Sequence, residues 1–398
     1  MNYKTKYKNR YKSVKCYLLT MICIAFMVYI VGCESSPTKP NKINGEAGII
    51  TMVTSAIFIR FEVQGSGEII IDWGDGTVIN SVLLVGEEKK INHVYKYNYE
   101  RIITVKGNIK RLVSSDNKLT KLDVSTMPSL VFLDITNNEL TNLDLSKNLS
   151  LRILVFSHNH LTYLDLSNNT LLTDLLGVNN RLTSLDLRYN LALQVLWISN
   201  NSLTSLDVSN NISLNTLICS NNKLTHLSLG ENSSLLHLRV NNNQLSSIEM
   251  SNVPSLSMFQ VNNNHLTSID LTNNKSLSSL DVSANQLSSI DISQNTALRL
   301  LNLDNNLLTQ LCINKNRVVS QILIDNNQFT GLALDDLFRA LPEHAGTKII
   351  SIGSNPGTFD CDRSIAEIKG WLVVWWGWFH GDIYVNDEKL NMLKWSEL

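Results

Sequence analysis

The sequence predicts a mainly β protein in which a solenoid with a parallel sheet follows a small β-sandwich-like domain. Three observations lead there. Eleven asparagines from Asn117 to Asn327 recur every 21 residues without an insertion, and a fixed period of that size marks units that bury their apolar faces against one another. Between residues 48 and 108, apolar and polar residues alternate around glycine-rich turns, as in half-buried strands. The composition is that of a folded chain: 398 residues, 43% hydrophobic, with six cysteines and 34 Lys+Arg against 35 Asp+Glu. Such values exclude a disordered tail, a collagen and a disulfide miniprotein. A charge balance near zero also argues against nucleic-acid binding.

The first 32 residues read as a signal peptide. Lys4, Lys6, Lys8, Arg10, Lys12 and Lys15 precede a mostly apolar run, Cys16 to Val31, that is short for a permanent span. Ile30-Val31-Gly32-Cys33 resembles a bacterial lipobox, which implies that Cys33 becomes the lipidated first mature residue. Three acyl chains would anchor it stably, since one chain alone is marginal. Residues 33–47, with Ser35-Ser36-Pro37-Thr38-Lys39-Pro40, then form a polar tether. Removing the six leader cations leaves 28 basic against 35 acidic residues, a mildly acidic exported surface.

In the 48–108 domain, Ile57–Val63 and Glu68–Trp73 are expected as two strands separated by a Gly65-Ser66-Gly67 turn. Gly74-Asp75-Gly76-Thr77 should form the next turn, where Asp-Gly supplies positive φ. Trp73-Gly74-Asp75-Gly76-Thr77 with His93-x-Tyr95 resembles the signature of PKD-like immunoglobulin-fold modules. Asp72 and Asp75 are expected to cap turns, since no carboxylate cluster beside them supplies the oxygens calcium needs.

Residues 109–334 carry about 11 coils of 21 residues. The unit L-x-x-L-x-hydrophobic-x-x-N-x-L-T-x-L-D-L-S-x-N-x-x resembles a leucine-rich repeat. Alternation in x-Leu-x-Ile-x gives one short strand per coil with Leu inward. The following Asn should satisfy turn backbone through its amide, and stacked copies should form a ladder. Leu-Thr-x-Leu-Asp-Leu-Ser also alternates, predicting an extended opposite wall rather than a helix. A second Asn column, Asn148 to Asn316, is broken by Met127-Pro128 and Val253-Pro254, where proline should fix the turn. An acidic column (Asp123, Asp144, Asp165, Asp186, Asp207, Glu249, Asp270, Asp291) runs down the wall away from the main sheet. It reads either as a tolerated exposed column or as a cation-binding strip.

Residues 335–398 should form a C-terminal cap and Trp-rich tail: a helix over Leu334–Leu341 stopped by Pro342, a strand at Ile349–Ile352, and a further helix and strand from Cys361 to Trp371. Trp371, Trp375, Trp376, Trp378 and Phe379 read as the closure of the solenoid end or as a carbohydrate platform.

The lipobox, the Trp-Gly-Asp-Gly domain, the Asn-x-Leu-Thr-x-Leu-Asp-Leu-Ser repeat and the Asn355-Pro356-Gly357…Lys369-Gly370-Trp371 end together resemble leucine-rich-repeat cell-surface lipoproteins of Bacteroidetes. That resemblance implies a monomer held by its lipid in the outer membrane, facing outward, that binds a protein or glycan ligand in adhesion or host–microbe contact. It carries no catalytic site. Recognised catalytic motifs are absent from the sequence, and His158 with His160 lacks a third ligand, so neither enzyme activity, metal nor cofactor is expected. Cys219 takes an inward position, and Cys312 and Cys361 suggest no bridge.

On the outer side of the main sheet the mid-strand column reads Asp134, Val155, Leu176, Trp197, Ile218, Arg239, and the column before it Phe132, Ile153, Asp174, Val195, Thr216, His237. Apolar residues gather over the first five coils. A contiguous apolar patch marks an interaction site, so Phe132, Ile153, Val155, Leu176, Val195, Trp197 and Ile218 are the expected ligand-binding residues, with His237 and Arg239 at the polar rim. The competing expectations are that residues 43–108, or the anchoring side of the chain, fold over this patch and cover it, and that the chain is a spacer that only presents its tail.

Overall fold

The computed structural model describes residues 47–375 except 344, and the backbone of two short strands beyond them. The signal peptide, Cys33 and most of the tether lie outside the described residues, as do Trp376, Trp378 and Phe379. Among the described residues no helix is long and apolar enough to cross a membrane.

Five strands open the chain: β1 Gly48–Thr54, β2 Phe58–Asp72, β3 Val78–Val85, β4 Lys89–Val94 and β5 Arg101–Val113. All pair antiparallel, β1 and β2 flanking β5, with β3 and β4 on the far side of β2. Alternation sets their faces: Ile50, Met52, Ile59, Phe61, Ile69, Ile71, Ile103 and Val105 are buried, while residues between them face out. The Gly65-Ser66-Gly67 turn is a correction. That segment runs through the middle of β2 as a register shift. A Cβ at Gly65 would meet the Asn108 carbonyl oxygen at 2.0 Å, so glycine serves close strand approach there. The Gly74–Thr77 turn forms as expected, with φ of 72° and 90° at Gly74 and Gly76. Its aspartates act as turn caps: Asp72 accepts the Gly74 N–H and Asp75 the Thr77 N–H. His93 stacks on Trp73 and reaches Asp75 at 2.8 Å.

The expected boundary at 108/109 falls inside β5. Arg111, Leu112 and Val113 pair in parallel with Phe132, Leu133 and Asp134, so the last strand of the N-terminal region is also the first strand of the solenoid. The opposite wall is joined likewise: β6, Leu119–Asp123, pairs with β1. The N-terminal strands therefore extend the sheet sideways and cap the first coil, sharing one apolar core with it.

From there a three-residue strand recurs at each coil: β7 Phe132–Asp134, β8 Ile153–Val155, β9 Asp174–Leu176 and β10 Val195–Trp197; then β11 Ser205–Asp207 on the far wall, β12 Thr216–Ile218, β13 His226–Ser228 on the far wall, and β14 His237–Arg239. The main row continues as β15 Met258–Gln260, β16 Ser279–Asp281, β17 Leu300–Asn302 and β18 Gln321–Leu323. Every neighbour in it is parallel and in register, Leu196 opposite Leu217 and Leu217 opposite Leu238. The far wall is extended, with β11 and β13 as a regular pair. The central residue of each main-row strand from β7 to β18, a leucine except for Phe259 and Ile322, is fully buried, and Cys219 sits inside the same core.

Two asparagine ladders line the turns. At Asn222, Nδ2 donates to the carbonyls of Ile198 and Cys219 while Oδ1 accepts the Leu203 N–H at 3.1 Å. The second column also donates: Asn211 Nδ2 bonds the carbonyls of Leu187 and Asn190. Its carbonyl oxygens, from Asn148 to Asn316, have no partner. A third column, not anticipated, precedes the first ladder. Asn137, His158, Asn179 and their equivalents to Asn326 all take φ between 51° and 58°, a left-handed conformation that Asn tolerates better than most residues. The signal was the repeated Asn-Asn dipeptide.

The sheet passes the expected end at residue 334. Strands β19, Lys348–Ser351, and β20, Trp371–Val374, add two parallel members. Between them and β18 lies a helix, Gly331–Ala340, whose start is set by Thr330, the side chain of which accepts the Ala333 N–H. A short helix at Ser364–Glu367 follows. Trp371 is buried and donates its indole N–H to the Pro342 carbonyl, a closing role. Trp375 is half-buried, with the Arg363 guanidinium 3.9 Å from its ring. Strands β21, Ile383–Val385, and β22, Glu388–Leu390, form an antiparallel hairpin.

Candidate functional site

The outer face of the parallel sheet is built by the strand residues that flank each buried leucine. Period-two alternation sends them outward, and register pairing stacks them into columns about 4.8 Å apart. All nine expected binding residues stand on this face. They are not equally available.

Val155 and Leu176 are buried, at 4% and 8% exposure. This corrects the expectation that they project toward a partner. Val155 lies in register between Asp134 and Leu176, and Leu176 between Val155 and Trp197, so each is shielded by side chains one strand away. Phe132 is half-buried and already engaged: the Arg111 guanidinium lies 3.8 Å from its ring centroid, and Arg111 in turn pairs with Glu88 at 3.3 Å. The available part of the patch is thus centred on β10, β12 and β14, where Val195, Trp197, Ile218, His237 and Arg239 are half-buried, with Ile153 two coils before Val195, beyond Asp174.

Polar residues not counted among the expected binding residues complete the face. Asp174 is 7% exposed and its carboxyl is pushed up by burial, with a hydrogen bond from Thr173 Oγ1 opposing. Farther along, Asp281 is 5% exposed and accepts from the Ser283 N–H and hydroxyl. Asp304 accepts the Asp325 N–H at 2.7 Å. Its carboxyl is raised to about 8, first by burial and then by the Asp325 charge. Asp325 accepts from Ser351 and from the Gly353 N–H. Beside Arg239, Met258 offers Sδ at 3.5 Å, and burial depresses the basicity of both Arg239 and His237.

The acidic column on the opposite wall has a local role. Asp144, Asp165, Asp207 and Asp291 each accept the backbone N–H two residues on, at 2.8–2.9 Å, an Asx turn that starts the return to the sheet. Those hydrogen bonds, with partner hydroxyls, hold the carboxyls below their ordinary value. Among the described residues no group of three or more His, Cys, Asp or Glu side chains is placed to hold a metal ion. His158 stands in the left-handed column with its ring 3.1 Å from Asn179 Nδ2. Cys219, Cys312 and Cys361 are free thiols.

No protein-family model matches this sequence, and no curated protein is significantly similar to it. Solved structures do match. The functional domain of InlJ from Listeria monocytogenes, described as including a cysteine ladder, aligns with a TM-score of 0.59 and 26% identity over 69% of this chain and 65% of its own. This chain therefore spans just under two thirds of that domain. The fold is a leucine-rich-repeat solenoid. The internalin InlF from the same organism agrees, with a TM-score of 0.53 and 21% identity over 67% of this chain and 86% of its own. The LRIM1/APL1C complex aligns with a TM-score of 0.54 and 23% identity over 62% of this chain and 48% of its own.

Proposed function

We propose that this leucine-rich-repeat solenoid is a surface-exposed lipoprotein that binds a protein or glycan ligand through the outer face of its parallel sheet, in adhesion or host–microbe contact. One observation carries the reading: Trp197 and Ile218 occupy adjacent in-register positions on that face, half-buried, where the solenoid has no need of large apolar side chains. The inward leucines build the core and the ladders build the turns, so these two contribute to neither. The N-terminal strands do not supply the cover, since they continue the sheet edge to edge beyond β7. The lipobox-like Val31-Gly32-Cys33 supports attachment by a lipid at Cys33, which would leave the solenoid outward at the cell surface.

The test is a pull-down of host and microbial surface extracts with soluble protein beginning near Lys42. Trp197→Ala should weaken capture by about 2 kcal/mol or more while the fold stays intact. Equal capture by both versions, with the N-terminal strands or the tail retaining ligand, overturns the sheet-face reading and favours a spacer. Palmitate-analogue labelling tests the anchor: label retained in Cys33→Ser excludes it.

A further inference from the structure

The charged groups of the sheet face are unequally satisfied. Asp134 accepts from the Thr136 N–H and hydroxyl. Asp174 has Thr173, Asp281 has Ser283, Asp304 has the Asp325 N–H, and Asp325 has Ser351 and Gly353. Two other cations on these strands are also engaged: Arg111 with Glu88 and the Phe132 ring, and Lys348 with the Lys369 carbonyl at 2.6 Å.

Arg239 differs. It ends β14, half-buried, and among the described residues its guanidinium makes one hydrogen bond, to Met258 Sδ at 3.5 Å, and no ion pair. A thioether is a weak acceptor, and a guanidinium carries five donors in a planar fork matched to a carboxylate. Among the described residues no carboxylate pairs with it. Ile218 precedes it in register and Gln260 follows. His237 shares its strand, two residues before. Asp281 stands two strands away, about 10 Å off at strand spacing, with Ser283 already on it. A partly desolvated cation with free donors on a face whose acids are all bonded internally is complementary to an acid brought from outside.

We infer that Arg239 receives a carboxylate of an acidic peptide ligand, whose neighbouring apolar side chain lies on Ile218 and Trp197. This deepens the sheet-face binding reading and rests on it. Ile218 is one strand from Arg239 and Trp197 two, about 5 and 10 Å. An extended peptide crossing the strands rises about 3.3 Å per residue, so its acid and its apolar anchor stand two or three residues apart.

The experiment is selection of a random 12-residue phage-displayed peptide library on the soluble protein, in parallel on Arg239→Gln, Arg239→Lys and, as control, Arg299→Gln, each checked for an unchanged melting temperature. Wild type and Arg299→Gln should enrich peptides with Asp or Glu two or three residues from an aromatic or large aliphatic residue. Arg239→Gln should lose the acid preference and bind the selected peptide at least tenfold more weakly, with Arg239→Lys intermediate. Replacing the peptide's acid by its amide should then cost nothing further in Arg239→Gln. Apolar peptides enriched without an acid overturn this inference and leave sheet-face binding standing. An acid preference that survives in Arg239→Gln, or no enriched peptide at all, also overturns it; capture from surface extracts that stays sensitive to Trp197→Ala would separate that result from failure of the binding face.

Discussion

Gly177 stands one coil after Phe156 in the inward column, and a Cβ built on it would lie 2.1 Å from Phe156 Cζ. The same column holds Ile135, Ile198 and Cys219, all fully buried. The phenylalanine in this column is accommodated by the glycine beside it, a volume exchange between neighbouring coils. Gly177→Ala should therefore destabilise the fold by roughly 1–3 kcal/mol through overpacking. Combining it with Phe156→Leu should recover most of the loss, since contacting residues couple. Urea denaturation of the two single variants and the pair measures this; simple additivity would refute the exchange.

The two asparagine ladders should differ in worth. Asn222 uses both ends of its amide, whereas Asn211 uses only its donor. Asn222→Ala should cost ~1–3 kcal/mol, because it leaves the buried Leu203 N–H unpaired and removes one of the two amide donors on each of the Ile198 and Cys219 carbonyls. Asn211→Ala should cost less. Chelator and reductant should leave the melting temperature nearly unchanged; a large drop with chelator would return the acidic column to consideration as a cation strip.

Ala284 takes φ 51° in a column otherwise filled mainly by asparagine. A β-carbon in that conformation costs about 1–2 kcal/mol. Ala284→Gly or Ala284→Asn should raise the melting temperature, and a fall would mean that the column is not strained there.

Asp304 predicts a pH dependence. Its folded carboxyl is raised to about 8 by burial and by Asp325, against an ordinary value near 3.9 when unfolded. Between those values the folded chain holds a proton that the unfolded chain has released, so this contribution is fully present below about pH 4 and is lost as pH rises to about 8. Burial raises Asp281 and Asp325 in the same direction. The exposed aspartates of the far wall act oppositely, but only at and below the ordinary carboxylate range. Unfolding of wild type from pH 5 to 8 should show falling stability, and Asp304→Asn should flatten that slope. An unchanged slope in the variant would place the dependence elsewhere.

The period of 21 determined by itself the coil, the inward leucines and the turn asparagines, because each depends only on residues a fixed distance apart in one strand or turn. Asn222 could be placed from spacing alone. What only the tertiary structure decided are matters of lateral packing between coils and at the ends. Spacing sends Val155 and Leu176 outward, yet their in-register neighbours bury them. It makes Gly65-Ser66-Gly67 resemble a turn, while a close approach to Asn108 keeps β2 continuous. It ends one domain at residue 108, whereas β5 belongs to both, since the first coil's open edge is covered most completely by a strand already in the sheet. Arg239 was legible as a polar rim residue, but its lack of an acid partner was not. That depended on which hydroxyls and backbone N–H groups reached every carboxylate on the face.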